Sequence, residues 1–200
     1  MAGQVKVSLS KSRWSSRSDV LRGQRYDQQW ELMASSGQNI HGEVDFLMSY
    51  QPASVLDAGC GTGRVAIELD RRGIHSVGVD LDPQMLEEAK RKAPTIGWHQ
   101  EDLRKLELQN AFDVVVLAGN VMIFLEPGSE LKVLGRMAHH VDKGGLLISG
   151  FSIRPEILPL ERYDSLAEEV GLSLAGRWST WQRDPFEGGA YAVSAHRKAD

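Results

Sequence analysis

From Tyr26 onward the apolar side chains recur first at helical intervals and then in short unbroken runs, and each change of period marks a new element. Tyr26, Trp30 and Met33 share one helical face, and after Ser35-Ser36-Gly37 a second helix carries Ile40, Val44, Phe46, Leu47 and Tyr50. Val55 and Leu56 then end a buried strand, residues 64–72 form a helix that Gly73 stops, and Ile74, Val77 and Val79 lead a second strand to Asp80. Pro83 opens a helix running to Lys92, and residues 95–99 are a third strand. The valine-rich run 112–117 has the continuous apolar character of a strand buried on both faces. A helix over 131–141, a turn at Lys143-Gly144-Gly145 and a fifth strand at 146–151 follow, then a helix over 163–170. The last two runs, 172–180 and 190–197, are too close for a crossover helix, so they are expected to pair antiparallel. Strand alternating with helix predicts an α/β protein with a Rossmann-like, doubly wound sheet.

The run from Val55 to Ala66 reads V-L-D-A-G-C-G-T-G-R-V-A, a strand that ends in an acid and breaks into three alternating glycines before a helix. Gly59, Gly61 and Gly63 lack the Cβ atoms that would obstruct a tight turn and the approach of a ligand, and the helix beyond offers N–H donors. Gly61, Gly63 and Ala66 satisfy the dinucleotide spacing G-x-G-x-x-G/A, and Asp80 ends the next strand where a ribose-binding acid belongs, so an NAD(P)-dependent oxidoreductase is one reading. Asp57 argues against it, because a carboxylate beside a pyrophosphate is unfavourable. S-adenosylmethionine carries a sulfonium, an amino group and a ribose without phosphate, which makes acids at both Asp57 and Asp80 intelligible.

These residues carry a family resemblance. Asp57, Gly59, Gly61 and Gly63 resemble the D-x-G-x-G-x-G turn of the class I S-adenosylmethionine (SAM)-dependent methyltransferases. The likeness continues through Asp80-Leu81, Glu101-Asp102-Leu103 and 112–116, and spans roughly residues 53–151. It implies a seven-stranded sheet ordered 3-2-1-4-5-7-6 with strand 7 antiparallel, preceded by two helices. It also implies SAM as cofactor, held at the turn by Asp57, Gly59, Cys60, Gly61 and Gly63. Asp80 would accept hydrogen bonds from the ribose hydroxyls and Asp102 would face the adenine amino group, with Leu81, Met85 and Leu103 flanking the ring. Asn120 follows the fourth strand into the same pocket, and Tyr26 and Trp30 would fold over it as a lid. Each acid also has a plainer reading, as the cap of the helix or turn that follows it.

Composition places this site in one domain. The chain has 200 residues, 42% hydrophobic and 25% charged, enough for a single substantial core. Residues 1–22, with six serines and no apolar period, read as a flexible tail, so the expected organisation is a tail over 1–25 and one methyltransferase-like domain over 26–200. Lys6, Lys11, Arg13, Arg17, Arg22 and Arg25 make that tail basic, and a solvated segment is the expectation for it. The net charge of −4 gives no overall basic field, which disfavours nucleic acid and favours a small-molecule acceptor. The single Cys60 excludes an intrachain disulfide, and with no apolar leader or spanning segment the expected location is a reducing cytoplasm, away from membranes.

Methyl transfer needs alignment of the nucleophile and, for a neutral acceptor, removal of a proton. His41 in the second helix is the one candidate base; the alternative is an ordinary surface histidine. His139 and His140 end a helix, where a cation meets the negative end of the dipole. Leu117-Ala118-Gly119-Asn120 lacks the Asp/Asn-Pro-Pro-aromatic motif of methyltransferases acting on base amines, and Cys60 is committed to the turn, which disfavours pyrimidine C5 chemistry. No zinc-type spacing of His or Cys is present, so no metal is expected. Trp178, Trp181 and Phe186 crowd a late segment where an organic acceptor could stack.

Overall fold

A computed structural model describes residues 12–17 and 21–200. Helices α1 (Gln24–Ser35) and α2 (Gly42–Met48) precede a sheet built from β1 (Ser54–Ala58), β2 (His75–Asp80), β3 (Gly97–Gln100), β4 (Phe112–Leu117), β5 (Val141–Ser152), β6 (Leu172–Trp178) and β7 (Tyr191–Lys198). Between the strands lie α3 (Arg64–Arg71), α4 (Pro83–Lys92), the short α5 (Val121–Phe124), α6 (Glu130–His139) and α7 (Leu160–Glu169). The seven strands are ordered β3-β2-β1-β4-β5-β7-β6, with β7 antiparallel to both neighbours, in agreement with the expectation.

The apolar run of β4 is buried throughout because its side chains alternate between two cores. Leu56, Val115, Leu117 and Leu147 join Val133, Leu134 and Tyr163 from α6 and α7 on one face. Val55, Val114, Val116 and Ile148 meet Val44, Phe46 and Leu47 of α2 and Val65 and Leu69 of α3 on the other. Full burial of each such side chain contributes about 1.5–3 kcal/mol. The sheet is therefore covered on both faces, and its β1/β4 centre is the switch point beyond which open α/β sheets bind ligands.

Several local expectations change. The predicted turn at Lys143-Gly144-Gly145 lies inside β5, where the register against β4 shifts between Phe112 and Val114. Gly144 takes φ +70° there, so its glycine signal is that of an irregularity within a strand rather than of a strand's beginning. Helix α5 was not expected; it is a single turn entered from Asn120 in the left-handed region. His140 is not a cation facing a helix dipole. Its Nε2 accepts from the Leu108 N–H at 2.9 Å, which leaves Nδ1 to donate to the Arg136 carbonyl at 2.7 Å, and burial lowers its pKa. Both nitrogens hold the loop before β4 against α6.

The start of the chain departs furthest from expectation. Residues 12–17, read as tail without structure, pack on the domain: Ser12 is buried, the Trp14 ring meets Phe124 edge-on at 5.6 Å, and its amide donates to the Phe124 carbonyl at 3.3 Å. Residues 21–25 of the predicted tail are ordered as well, with Arg22 bonded to Asp82 and Gln24 and Arg25 opening α1, and residues 1–11 and 18–20 lie outside the described residues. Helix α1 also docks differently from its apolar pattern. Met33 is exposed, and the one buried residue of α1 is Asp27, which accepts from Thr62 Oγ1 and from Lys92 Nζ, both at 2.5 Å. Polar bonds to the starts of α3 and the end of α4, not an apolar stripe, hold this helix.

Candidate active site

The turn between β1 and α3 takes its shape from its glycines. Gly59, Gly61 and Gly63 all have positive φ, at +82°, +56° and +82°. A Cβ on Gly59 would lie 2.5 Å from the Val121 side chain, and one on Gly63 would lie 2.4 Å from the Trp98 ring. Gly63 is therefore needed for the packing of α3 beside β3, whereas a Cβ on Gly61 would meet the Met85 methyl at 3.2 Å, inside the cavity. The amides of Gly59 and Cys60 both donate to the Val79 carbonyl, at 2.8 and 3.0 Å, so β2 holds the first half of the turn.

Asp80 holds the second half. Its Oδ2 accepts from the Gly61 N–H and its Oδ1 from the Asp82 N–H, both at 2.8 Å, and burial raises its pKa. The capping role belongs to Asp82 instead: its Oδ1 accepts from Gln84 N at 3.0 Å at the start of α4. Asp57 sits at the end of β1, 2% exposed, with Oδ2 accepting from the Ala66 N–H at 3.2 Å. Burial pushes its pKa up to about 7, because desolvation of the carboxylate outweighs the backbone hydrogen bond from Ala66. Cys60 is buried too, and burial drives its thiol well above the usual value, so it is no nucleophile.

A cavity opens above these strand ends. It is lined by Asp57, Gly59, Cys60, Gly61, Asp80, Leu81, Met85, Asp102, Leu103 and Tyr26 among the residues expected from the sequence. Gly63, Asn120 and Trp30 do not line it. Asn120 turns its Oδ1 to the Ser152 N–H at 2.7 Å and so ties the end of β4 to the end of β5. Trp30 lies under the Arg64 guanidinium, 4.0 Å from the ring centroid. Tyr26 is a wall residue of the cavity, and Trp30 supports the arginine next to it. Asp102 turns its carboxylate to Arg104, whose Nε and Nη2 donate to it at 2.5–3.0 Å. Burial works against its ionisation, but Arg104 outweighs that and holds its pKa low.

His41 is not in the cavity. It stands at the N-cap position of α2 without a side-chain capping bond, with Nε2 4.0 Å from Glu68 Oε2 of α3. Nor do Trp178, Trp181 and Phe186 line it. Trp178 and Trp181 pack on Phe46 of α2 with ring centroids 5.0 and 5.4 Å away, and Arg183 lies over Phe46, Tyr50 and Trp178. The late aromatic segment therefore clamps α2 to the sheet.

The sequence reading missed Ser12, Trp14, Thr62, Arg64, Arg104, Phe124 and Glu126, all of which line the cavity. Arg64 sits at the helix start directly after the third glycine, a position that could have flagged it. Thr62 stands between two of the turn's glycines; Ser12, Trp14, Arg104, Phe124 and Glu126 carry no local signature. Both cavity arginines are neutralised: Arg64 makes a bidentate pair with Glu43, and Arg104 pairs with Asp102 and Glu126. Among the described residues no cluster of His, Cys, Asp or Glu could hold a metal ion.

Comparison with known proteins agrees with this fold. A family profile described as a methyltransferase domain matches residues 55–145. A TehB-like SAM-dependent methyltransferase structure from Corynebacterium glutamicum superposes with a TM-score of 0.80 and 31% identity, over 88% of this chain and 97% of that one. The magnesium-protoporphyrin O-methyltransferase of Rhodobacter capsulatus is 37% identical over 92 residues, 42% of this chain and 41% of the relative. The first curated relatives are thus matched over about two fifths to a half of their own length. An amino pentose methyltransferase from Micromonospora echinaspora, at 19% identity, shares the fold with a TM-score of 0.73 over 91% of this chain and 100% of its own. The matched profile covers the glycine turn, Asp80 and Asp102, and the match to the Corynebacterium structure spans nearly its whole length: the chain belongs to the SAM-dependent methyltransferase family.

Proposed function

We propose that this protein transfers the methyl group of SAM to a small-molecule acceptor. The observation that carries the reading is the charge pattern of the cavity. Two acids, the buried Asp57 and the partly buried Asp80, end adjacent strands, while both arginines in the wall are already paired with carboxylates. Such a wall suits a cationic ligand without phosphate and repels the pyrophosphate of a dinucleotide, which turns the G-x-G-x-x-A spacing away from NAD(P). SAM, when bound, supplies a methyl carbon already activated by its sulfonium.

The chain's own residues then have separate tasks. Gly61 leaves the cavity floor free of a side chain, Asp80 offers carboxylate oxygens to the ribose while its two backbone bonds keep it oriented, and Leu81, Met85 and Leu103 give apolar faces to the base. Burial lifts the Asp57 pKa to about 7, so it becomes the carboxylate where an ammonium or sulfonium pairs with it. Tyr26, whose pKa burial raises, remains a neutral hydroxyl donor. With His41 outside the cavity, no histidine lines it, so the reading assigns the protein alignment and charge rather than histidine base catalysis.

Relatives support a small acceptor by their names: a magnesium porphyrin, a deoxyamino sugar nucleotide and the N-terminus of cypemycin. The net charge of −4 and, among the described residues, the lack of any helix long and apolar enough to cross a membrane fit the same reading. Calorimetric titration with S-adenosylhomocysteine and with NADH tests the cofactor assignment; binding of NADH alone would restore the oxidoreductase. Radiolabelled methyl transfer across a panel of porphyrins, amino sugars and peptides separates an enzyme from a binding protein that has lost turnover.

A further inference from the structure

The first described residues of the chain converge on the acid that follows Asp80. Asp82 Oδ2 accepts from Trp14 Nε1 at 3.0 Å and from Arg22 Nε at 2.6 Å. Its other oxygen caps α4, and its own N–H donates to Asp80 Oδ1. A continuous path of hydrogen bonds therefore runs from Trp14 through Asp82 and Asp80 to the Gly61 N–H of the turn. On the other side, Trp14 packs on Phe124, and Arg13 Nη1 donates to the carbonyls of Ile123 and Leu125 at 3.5 and 3.3 Å, where α5 ends. Residues 12–17 thus bridge the start of α4 and the end of α5, two elements on opposite walls of the cavity, and both Ser12 and Trp14 line it.

We propose that residues 12–17 are a strap closing the cavity between α4 and α5, with Trp14 a positioning residue for the base end of the cofactor and Asp82 its anchor. The inference rests on the SAM reading above, which puts the base beside Leu81 and Leu103. A large ring is suited to this place because it excludes water from a stacked base while its N–H finds a partner, here the carboxylate of Asp82. The anchor is well chosen: any movement of Asp82 also moves the N–H that orients Asp80, so the strap's closure and the presentation of the ribose-binding acid are mechanically joined. The strap must open for the cofactor to exchange, and its loss should appear chiefly in the dissociation rate.

The test is the dissociation rate of S-adenosylhomocysteine from the full chain, measured by stopped-flow competition for wild type, Trp14→Ala and Trp14→Phe, with limited trypsin digestion read by mass at Arg13 and Arg17. Trp14→Ala should speed dissociation by about tenfold. Trp14→Phe keeps a ring against Phe124 but loses the bond to Asp82, and should speed it by about threefold. S-adenosylhomocysteine should protect Arg13 and Arg17 from cleavage in wild type and not in Trp14→Ala. A change confined to thermal stability, with wild-type dissociation rates and protection, overturns the strap and leaves Trp14 as packing. If Trp14→Ala does not fold, Trp14→Phe and the wild-type protection decide in the same way. Failure of the wild-type chain to bind S-adenosylhomocysteine overturns the cofactor reading itself, and this inference with it.

Discussion

Two regions drew attention for their residue types, the glycine turn at residues 57–63 and the aromatic segment at 178–186, and they behave differently in the folded chain. In the turn, the shape depends on the backbone: three positive φ angles and the space left by missing Cβ atoms form it, and Asp57 and the three glycines are within one strand-turn-helix unit. In the aromatic segment the side chains have apolar area to bury, and the nearest apolar surface is α2. Trp181 lies where a Cβ on Gly150 would come within 2.3 Å of its ring, and its Nε1 donates to the Tyr191 hydroxyl at 2.9 Å. A backbone-built site is legible where it stands; a cluster of large side chains goes wherever the tertiary structure offers burial.

The sharpest test of this contrast is Gly63→Val. The new side chain needs the space of the Trp98 ring at a φ of +82°, so a loss of about 3 kcal/mol or more and of cooperative unfolding is expected, measured by circular dichroism on heating. A wild-type melting temperature would show that the turn tolerates a side chain after all. Trp181→Ala should come next, costing about 2 kcal/mol of stability in urea while the affinity for S-adenosylhomocysteine stays within twofold. Lost affinity at unchanged stability would return the aromatic segment to the site.

Asp80→Ala should weaken S-adenosylhomocysteine roughly thirtyfold, or about 2 kcal/mol, by removing both the ribose acceptor and the brace on Gly61. Calorimetry that finds wild-type affinity would leave Asp80 as a brace alone. The last test concerns pH. Asp57 is protonated up to about 7 in the folded chain but only up to about 3.8 when unfolded. The folded state therefore binds the extra proton between those values, and this group's contribution makes stability fall as pH rises through that window. Asp57→Asn should flatten the fall, seen as a smaller difference in melting temperature between about pH 5 and about pH 8. An unchanged difference would assign the pH dependence to other groups.

Much of the fold was readable because it rests on local periodicity. Runs of valine in β4, Gly73 after α3, Pro83 at the start of α4 and the short link between β6 and β7 each act within a few residues, and the strand order followed from the family resemblance. The glycine turn and Asp80 were readable for the same reason: a strand end and the turn beyond it are contiguous in sequence. Trp14 was not readable, since its partners Asp82 and Phe124 lie 68 and 110 positions away and nothing beside it signals either. His41 failed as a candidate base because helical position cannot say which neighbour a side chain faces, and it faces Glu68 of α3. The sequence by itself determined most of the elements, the glycine turn and the acids at the strand ends, all of them consequences of backbone conformation over short spans. Only the tertiary structure decided which helices wall the cavity, which arginines are neutralised and where residues 12–17 dock, because those depend on the distances between segments that the folded sheet brings together.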